Sequence, residues 1–145
     1  MLLGKWDTRF LKVAKLAAQW SKDPNARVGA VIVDAQGQIA GVGYNGFPRL
    51  VEDSAERYGN VDTKLEMVVH AEENAVLGAG ARARGGSIYV FGKPICARCA
   101  GTIIQSGVAR VVAQEPKQGT DSKWDKSGQI ARKMLEEAKV ELLLI

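Results

Sequence analysis

Apolar and polar residues follow two clear periodicities in the first third of the chain. Apolar side chains recur every three or four positions over residues 6–20, which predicts an amphipathic helix. Residues 28–34 form a run rich in β-branched side chains, and a short polar turn separates them from residues 39–43. Two such runs joined by a short turn predict a β-hairpin. The chain is therefore expected to begin with a helix followed by two antiparallel strands.

The remainder of the chain alternates between loop, helix and strand signals. Residues 45–61 are rich in glycine, proline and charged side chains, and we expect a long loop there with a short helix near Ala55. Further helices are predicted to include residues 72–77, 96–105 and 127–138, the last with Ser127 as its N-cap, and further strands are predicted over residues 87–91, 108–113 and 140–145. This order predicts one layered α/β domain over residues 1–145.

The composition is that of a globular domain, and the charge limits the kinds of molecule that the protein is expected to bind. The 145 residues are 46% hydrophobic and 25% charged, which is ordinary for a folded domain. The net charge of +4 is mild and the charges are interspersed, so it suits phosphate-bearing small molecules better than nucleic acid. Neither a signal peptide nor a membrane span is predicted, and we expect a cytoplasmic protein with no membrane or nucleic-acid partner.

One histidine and two cysteines are the most informative residues of the chain. His70 stands in the triplet His-Ala-Glu, and the cysteines follow as Cys96-Ala-Arg-Cys99. Three such ligands suit zinc and leave a fourth position for water, while Glu72 lies close enough in sequence to exchange protons with that water. Taken singly, the cysteine pair is also compatible with a redox motif, and the histidine with an ordinary packed or surface residue.

The order His-x-Glu followed by Cys-x-x-Cys is typical of zinc-dependent base deaminases. More closely, the sequence resembles the deoxycytidylate (dCMP) deaminase family of the cytidine deaminase-like superfamily. The segments that carry this resemblance are residues 21–25, 28–33, 43–49, 62–64, 70–75 and 96–100, with further similarity over residues 103–108 and 134–140. The motifs at residues 44–48 and 62–64 separate this family from the free-cytidine and tRNA-adenosine deaminases.

The resemblance implies both a fold and a reaction. The fold would be a three-layer α/β/α, cytidine deaminase-like domain with a mixed sheet of about five strands. His70, Cys96 and Cys99 would hold Zn2+ as the cofactor, and Glu72 would be the catalytic residue that moves protons. The reaction would be the zinc-dependent hydrolytic deamination of dCMP to dUMP and ammonia, a step of pyrimidine nucleotide metabolism.

The resemblance also indicates residues that contact the nucleotide. Asn45 matches the position of an asparagine that the family uses on the sugar, and Trp124 lies where the family often has an aromatic residue near the substrate. The phosphate requires cations, and the candidates in or next to the matched segments are Lys22, Arg27, Arg49 and Lys64. Arg27 and Arg49 are favoured because a guanidinium group matches the geometry of phosphate.

Several alternatives stay open at this point. Other cytosine carriers (CMP, cytidine, a modified dCMP or dCTP) are alternative substrates, and a non-catalytic protein with structural zinc is the alternative class. Ile95 departs from the family pattern because it adds a residue between Pro94 and the first cysteine, which leaves the shape of that loop open. We also expect a homo-oligomer, since residues 103–104 and 142–144 are strongly apolar, although burial in the core explains those runs equally well.

Overall fold

The computed structural model describes residues 3–145 and is built around a five-stranded mixed sheet. Its strands are β1 (Gly29–Val33), β2 (Ile39–Tyr44), β3 (Ser87–Phe91), β4 (Arg110–Ala113) and β5 (Glu141–Leu144). They lie in the order β2-β1-β3-β4-β5. Strand β1 is antiparallel to both β2 and β3, whereas β3, β4 and β5 run parallel. The predicted hairpin and the predicted mixed sheet are confirmed.

Helices connect most of these strands. They are α1 (Lys5–Ala18), α2 (Ala55–Gly59), α3 (Val61–Met67), α4 (Ala71–Ala79), α5 (Ala97–Gln105) and α6 (Lys123–Glu137). A short 3-10 helix over Gly80–Ala83 follows α4 directly. Among residues 3–145, no helix is both long enough and apolar enough to span a membrane.

The sheet is covered on both faces, which confirms the three-layer α/β/α arrangement. Helix α1 packs Phe10 and Ala14 against one face. Helices α4, α5 and α6 pack on the opposite face, where they form the larger core with residues of β1, β3 and β4. Because side chains alternate along a strand, Val31 of β1 joins the core under α1 while its neighbour Ile32 joins the core under the other three helices.

Two parts of the prediction differ from the structure. Helix α3 occupies a stretch for which the sequence predicts no helix, because none of its side chains is buried and it therefore shows no hydrophobic periodicity. The predicted N-cap of α6 is wrong: the helix begins at Lys123, and Ser122 caps it. Ser127 lies inside α6, where its hydroxyl accepts a hydrogen bond from the Ala97 N–H at the start of α5, at 2.9 Å.

Helix α4 lies unusually close to strand β2. A Cβ atom on Gly41 would stand 2.3 Å from the carbonyl oxygen of Ala75, and one on Gly43 would stand 2.2 Å from that of Ala71. Both distances are far below van der Waals contact, so only glycine fits at these positions. Since Ala71 is the first residue of α4, the glycine at position 43 fixes where the helix starts against the sheet.

A buried ion pair joins α1 to strands β3 and β4. Asp7 is 8% exposed, and its Oδ1 accepts hydrogen bonds from Arg110 Nη1 at 2.7 Å and from the Tyr89 hydroxyl at 2.9 Å. Its Oδ2 accepts a second hydrogen bond from Arg110 Nη2, at 3.1 Å. Hydrogen bonding from Arg110 is the main cause that lowers the pKa of Asp7 to about 2. The folded state therefore holds this carboxylate ionised more strongly than the unfolded chain does.

We expect Asp7→Asn to lower the free energy of unfolding by about 2 kcal/mol at pH 7. The ionised Asp7 stabilises the fold above the pKa of an unfolded aspartate, near pH 4, and that contribution is lost as the pH falls towards about 2. Urea unfolding between pH 2 and pH 7 measures both effects, and the variant should show the flatter acid dependence. The matched control is Asp53→Asn, because Asp53 belongs to an exposed ion pair with Lys22. Equal losses in the two variants would contradict this prediction.

Candidate metal centre and pocket

The only histidine and both cysteines of the chain meet at the starts of two helices. His70 is the N-cap residue of α4, and Cys96 is the N-cap residue of α5, with Cys99 in its first turn. Their ligand atoms all lie within 4.8 Å of one another. Because the N-terminal end of a helix carries partial positive charge, this placement favours the thiolate form that a metal requires.

The geometry of the three side chains suits a tetrahedral zinc ion. His70 Nδ1 lies 3.2 Å from Cys99 Sγ and 3.4 Å from Cys96 Sγ. Ordinary zinc–nitrogen and zinc–sulfur bonds in a tetrahedron place the two ligand atoms about 3.5 Å apart. Two sulfurs and one imidazole nitrogen are also a donor set that zinc prefers. The residues present therefore fit the ion, and three ligands leave one position open.

The three side chains perturb one another's protonation. A hydrogen bond with Cys99, helped by one with His70, lowers the pKa of the Cys96 thiol to about 4. The same hydrogen bond and burial raise the pKa of the Cys99 thiol. Burial lowers the pKa of His70, but its hydrogen bond to Cys96 and the nearby negative charges outweigh burial and raise it. One thiolate is therefore favoured at neutral pH, and metal binding requires deprotonated cysteine.

Glu72 is a buried carboxyl group beside these ligands. It lies in the first turn of α4, is 4% exposed, and lines the same cavity as His70 and Cys96. Burial raises the pKa of Glu72 to about 7. A carboxyl group with a pKa in this range can both accept and release a proton near neutral pH.

An ion pair connects the two helix starts that carry the potential ligands. Glu73 Oε1 accepts a hydrogen bond from the backbone N–H of His70 at 2.9 Å and from Arg98 Nη2 at 2.8 Å. Arg98 Nη2 also donates to the carbonyl oxygen of Val68, at 3.3 Å. Arg98 lies between the two cysteines in sequence, so this carboxylate holds the backbone of His70 in place relative to α5.

We expect Glu73→Ala to weaken zinc binding about tenfold, because the N–H of His70 and the Arg98 guanidinium both lose their shared acceptor. Glu73→Gln is the matched control, since its side-chain oxygen still accepts from the N–H of His70. Its loss of zinc affinity should be several-fold smaller than that of Glu73→Ala. Competition with a chromophoric chelator measures both affinities. Wild-type affinity in Glu73→Ala would show that the packing of α4 alone positions His70.

A cavity of about 320 Å³ opens beside the potential metal ligands. Its size is within the range of small-molecule sites in proteins. Apolar side chains such as Val28 and Leu65 form part of the wall, and Asn45 and Trp124 contribute polar and aromatic surface. The ring centroid of Trp124 lies 6.4 Å from that of His70, in an edge-on arrangement. The cavity therefore combines a metal centre, a buried carboxyl group and a flat aromatic wall.

The structure brings some of the sequence-predicted substrate residues to this cavity and leaves others outside it. Asn45 and Trp124 line the cavity. Lys22, Arg27 and Arg49 are exposed and lie outside its lining. Lys22 instead pairs with Asp53, with 2.6 Å between Nζ and Oδ2.

Three lysines supply the cations of the cavity wall: Lys64, Lys93 and Lys123. We call this group the lysine wall. Lys64 was among the candidates from the matched segments, whereas sequence reasoning missed Lys93 and Lys123. Position offered one signal for Lys93, because it lies three residues before Cys96 in the segment that enters α5. Nothing comparable marks Lys123, whose place at the cavity depends on where α6 begins.

Comparison with known proteins agrees with the architecture of this centre. Residues 4–115 match the family model described as the cytidine and deoxycytidylate deaminase zinc-binding region. That match contains all three potential ligands as well as Glu72.

Relatives and solved structures extend the comparison to nearly the whole chain. A protein of Aliivibrio fischeri described as an uncharacterized deaminase in the luxG 3' region is 39% identical over 141 residues, which are 97% of this chain and 94% of that protein. Human deoxycytidylate deaminase is 40% identical over 119 residues, which are 78% of this chain and 66% of the human protein. The crystal structure of dCMP deaminase from the cyanophage S-TIM5 in complex with dCMP and dUMP matches over 100% of both chains, with a TM-score of 0.75 and 23% identity. At that identity, the likeness shows a shared fold.

Proposed function

Since this chain belongs to the cytidine and deoxycytidylate deaminase family, we propose that it catalyses the zinc-dependent hydrolytic deamination of dCMP to dUMP and ammonia. The observation that carries the proposal is the meeting of His70, Cys96 and Cys99 within 4.8 Å beside a cavity that Glu72 also lines. The human relative is a deoxycytidylate deaminase and is 40% identical over 78% of this chain, which supports dCMP as the substrate.

In the proposed mechanism, Glu72 is the catalytic residue that transfers protons. His70, Cys96 and Cys99 would hold the zinc ion, which would supply the Lewis acidity that makes water nucleophilic near neutral pH. Glu72 accepts a proton from the attacking water, whose oxygen bonds to C4 of the cytosine ring, and delivers it to N3. The carbon–nitrogen bond at C4 then breaks, and the departing amine receives the proton of the new C4 hydroxyl group through the same carboxyl group, which leaves the C4 carbonyl of dUMP. One water is consumed for each ammonia released.

Asn45 and Trp124 are the residues that we propose to orient the nucleoside. Asn45 is 6% exposed, and its side chain is fixed by backbone: Oδ1 accepts from the Val28 N–H at 2.9 Å, and Nδ2 donates to the Ala26 carbonyl at 2.8 Å. The second N–H of its amide is then able to donate to a sugar hydroxyl. The indole of Trp124 offers an apolar face beside His70 against which the pyrimidine can pack.

The direct test measures zinc content and then product formation from dCMP, CMP, dCTP and deoxycytidine. We expect about one zinc per chain, release of dUMP and ammonia, and the highest kcat/KM with dCMP. Chelation should abolish the activity, and added zinc should restore it. Zinc content without turnover of any of the four substrates would favour the alternative, a structural zinc protein. A higher kcat/KM with another substrate would replace dCMP in the proposal.

We further propose that the enzyme is a cytoplasmic homo-oligomer. The apolar residues 103–104 and 142–144 pack mainly in the core, where Ile103 is fully buried. Apolar side chains in the turn after α1 and on β2 support self-association better: Trp20 is 53% exposed and packs edge-on against Tyr44, which is 42% exposed. Reduced cysteine ligands agree with a cytoplasmic location. Light scattering coupled to size exclusion measures the assembly directly.

A further inference from the structure

The lysine wall makes one region of the cavity cationic. Lys64, Lys93 and Lys123 each line it, and the acidic side chains that line the cavity are Asp23 and Glu72. The three lysines outnumber these two carboxyl groups, which leaves a net positive charge in the lining. Trp124 joins this region to the metal centre, because its ring lies near His70 and the Nζ of Lys93 stands 4.1 Å from its centroid.

Lys64 and Asp23 neutralise each other. Lys64 Nζ lies 3.3 Å from Asp23 Oδ2, and the side chains are 12% and 4% exposed. Asp23 Oδ1 also accepts hydrogen bonds from the backbone N–H groups of Asn25 and Ala26, at 2.9 and 3.1 Å. This pair holds the loop before β1 in place. The charge of Lys64 is therefore already neutralised by a carboxylate of the protein.

Lys93 differs because it forms no close ion pair with a carboxylate in the part of the chain that the structure describes, and its ammonium group lies over the Trp124 ring instead. It is partly buried, and within residues 3–145 no carboxylate oxygen lies within 4.0 Å of its Nζ. Burial, reinforced by the charge of Lys64, lowers the pKa of Lys93. A partly desolvated cation that no carboxylate neutralises at close range is unfavourable, and a phosphate group bound beside it would relieve that cost. Lys123 is exposed to solvent and does not carry this penalty.

The backbone on both sides of Lys93 is fixed. Gly92 has a φ of 118°, and a Cβ atom there would lie 2.4 Å from the Arg27 carbonyl oxygen, so only glycine fits. Pro94 packs against Gly128 of α6, and the additional Ile95 is 5% exposed in the core. The inserted residue therefore anchors the loop, and Lys93 is presented to the cavity from a rigid segment.

We infer that Lys93 binds the 5′-phosphate of the substrate and gives this enzyme its preference for a nucleotide over the corresponding nucleoside. The inference rests on the proposed deaminase function for the identity of the ligand. It assigns the phosphate to a residue outside the motifs that define the family resemblance. Lys93 interacts with a part of the substrate that does not react, so its removal should weaken nucleotide binding and leave the chemistry of a nucleoside unchanged.

The test compares the zinc-loaded wild-type protein with Lys93→Met, which keeps an unbranched side chain against Trp124, and with Lys93→Arg, which keeps the charge. Lys126→Met is the control, because Lys126 is an exposed lysine of the same α6 helix that carries Trp124. Calorimetry measures the Kd for dUMP and for deoxyuridine, neither of which needs turnover. Kinetics then measures kcat/KM for dCMP and for deoxycytidine.

We expect Lys93→Met to raise the Kd for dUMP and lower kcat/KM for dCMP by about 10- to 100-fold, with less than about a threefold change for either nucleoside. Lys93→Arg should recover most of the loss. Equal losses for nucleotide and nucleoside would overturn the inference, as would a comparable loss in Arg27→Met or Arg49→Met with Lys93→Met unaffected. If dUMP binds through Lys93 but no substrate is deaminated, the phosphate assignment stands and the proposed function fails.

Discussion

Replacing Glu72 by glutamine should lower kcat for dCMP by about 10²- to 10⁴-fold while the protein keeps its zinc and its fold. Glutamine matches glutamate in size, so the buried position next to His70 stays filled. Its amide cannot accept a proton from water or return one to the cytosine ring. The variant therefore removes the proposed proton transfer without removing a potential metal ligand.

Three measurements make this result interpretable. Zinc content and thermal unfolding should match the wild type, and dUMP should bind with an affinity within a few-fold of the wild-type value. Glu66→Gln on α3 is the matched control, because Glu66 is an exposed carboxylate near the cavity but outside its lining. Wild-type kcat in the Glu72→Gln variant would sink the proposed mechanism, because no other acidic side chain lining the cavity lies as close to the ligands in sequence as Glu72.

Gly43→Ala is the second substitution with a large expected effect, in this case on stability. Its Cβ atom would stand 2.2 Å from the carbonyl oxygen of Ala71 and 2.5 Å from the backbone nitrogen of Ala75. Both are backbone atoms of a helix packed in the core, so they cannot move aside as a flexible side chain can. We expect the free energy of unfolding to fall by at least about 3 kcal/mol.

The same substitution should also impair the metal centre. Relief of the clash requires the first turn of α4 to move away from β2, and this turn carries Glu72, two residues after the N-cap residue His70. A shift of about 1 Å can reduce a rate by about 10²-fold. Urea unfolding and zinc affinity of the same samples measure the two effects together.

Gly78→Ala is the control for this comparison. Gly78 lies in α4, on the other side of the contact between this helix and β2, but a Cβ atom there would meet the Cα of Gly41 at an ordinary 3.8 Å. Alanine in a helix interior should stabilise the protein by about 0.5–1 kcal/mol. Similar destabilisation by both alanines would mean that the clash of a Cβ atom at position 43 with the α4 backbone is not the cause of the loss.

The strongest sequence signals are those that arise from one face of one element. Helix α1 and strand β3 are predicted within one or two residues, because their apolar side chains follow the core directly. The metal centre is also predictable, since the chain has only one histidine and two cysteines and the family resemblance places all three together. In these cases the residues that form the sequence pattern are also the residues that the folded structure buries or brings together.

The features that sequence reasoning missed depend on contacts between distant segments. Ser122 and Ser127 are both suitable N-caps for α6, and what distinguishes them is that the Ser127 hydroxyl accepts from the start of α5. Nearby motifs and the geometry of guanidinium favour Arg27 as a phosphate ligand, but its side chain is exposed and lies outside the cavity lining. Lys93 reaches the cavity because of the left-handed backbone at Gly92 and the packing of Pro94, neither of which a one-dimensional pattern shows.

The separation of the ligands along the chain couples metal binding to folding. Cys96 and Cys99 are three residues apart and can bind zinc together even in an unfolded chain, whereas His70 lies 26 residues before Cys96 and joins them only when α4 and α5 are packed. Zinc therefore stabilises the fold by the difference between its affinity for three ligands and its affinity for the cysteine pair alone. The melting temperature of the enzyme should rise with free zinc, and a His70→Ala variant should lose most of that dependence although both thiols remain.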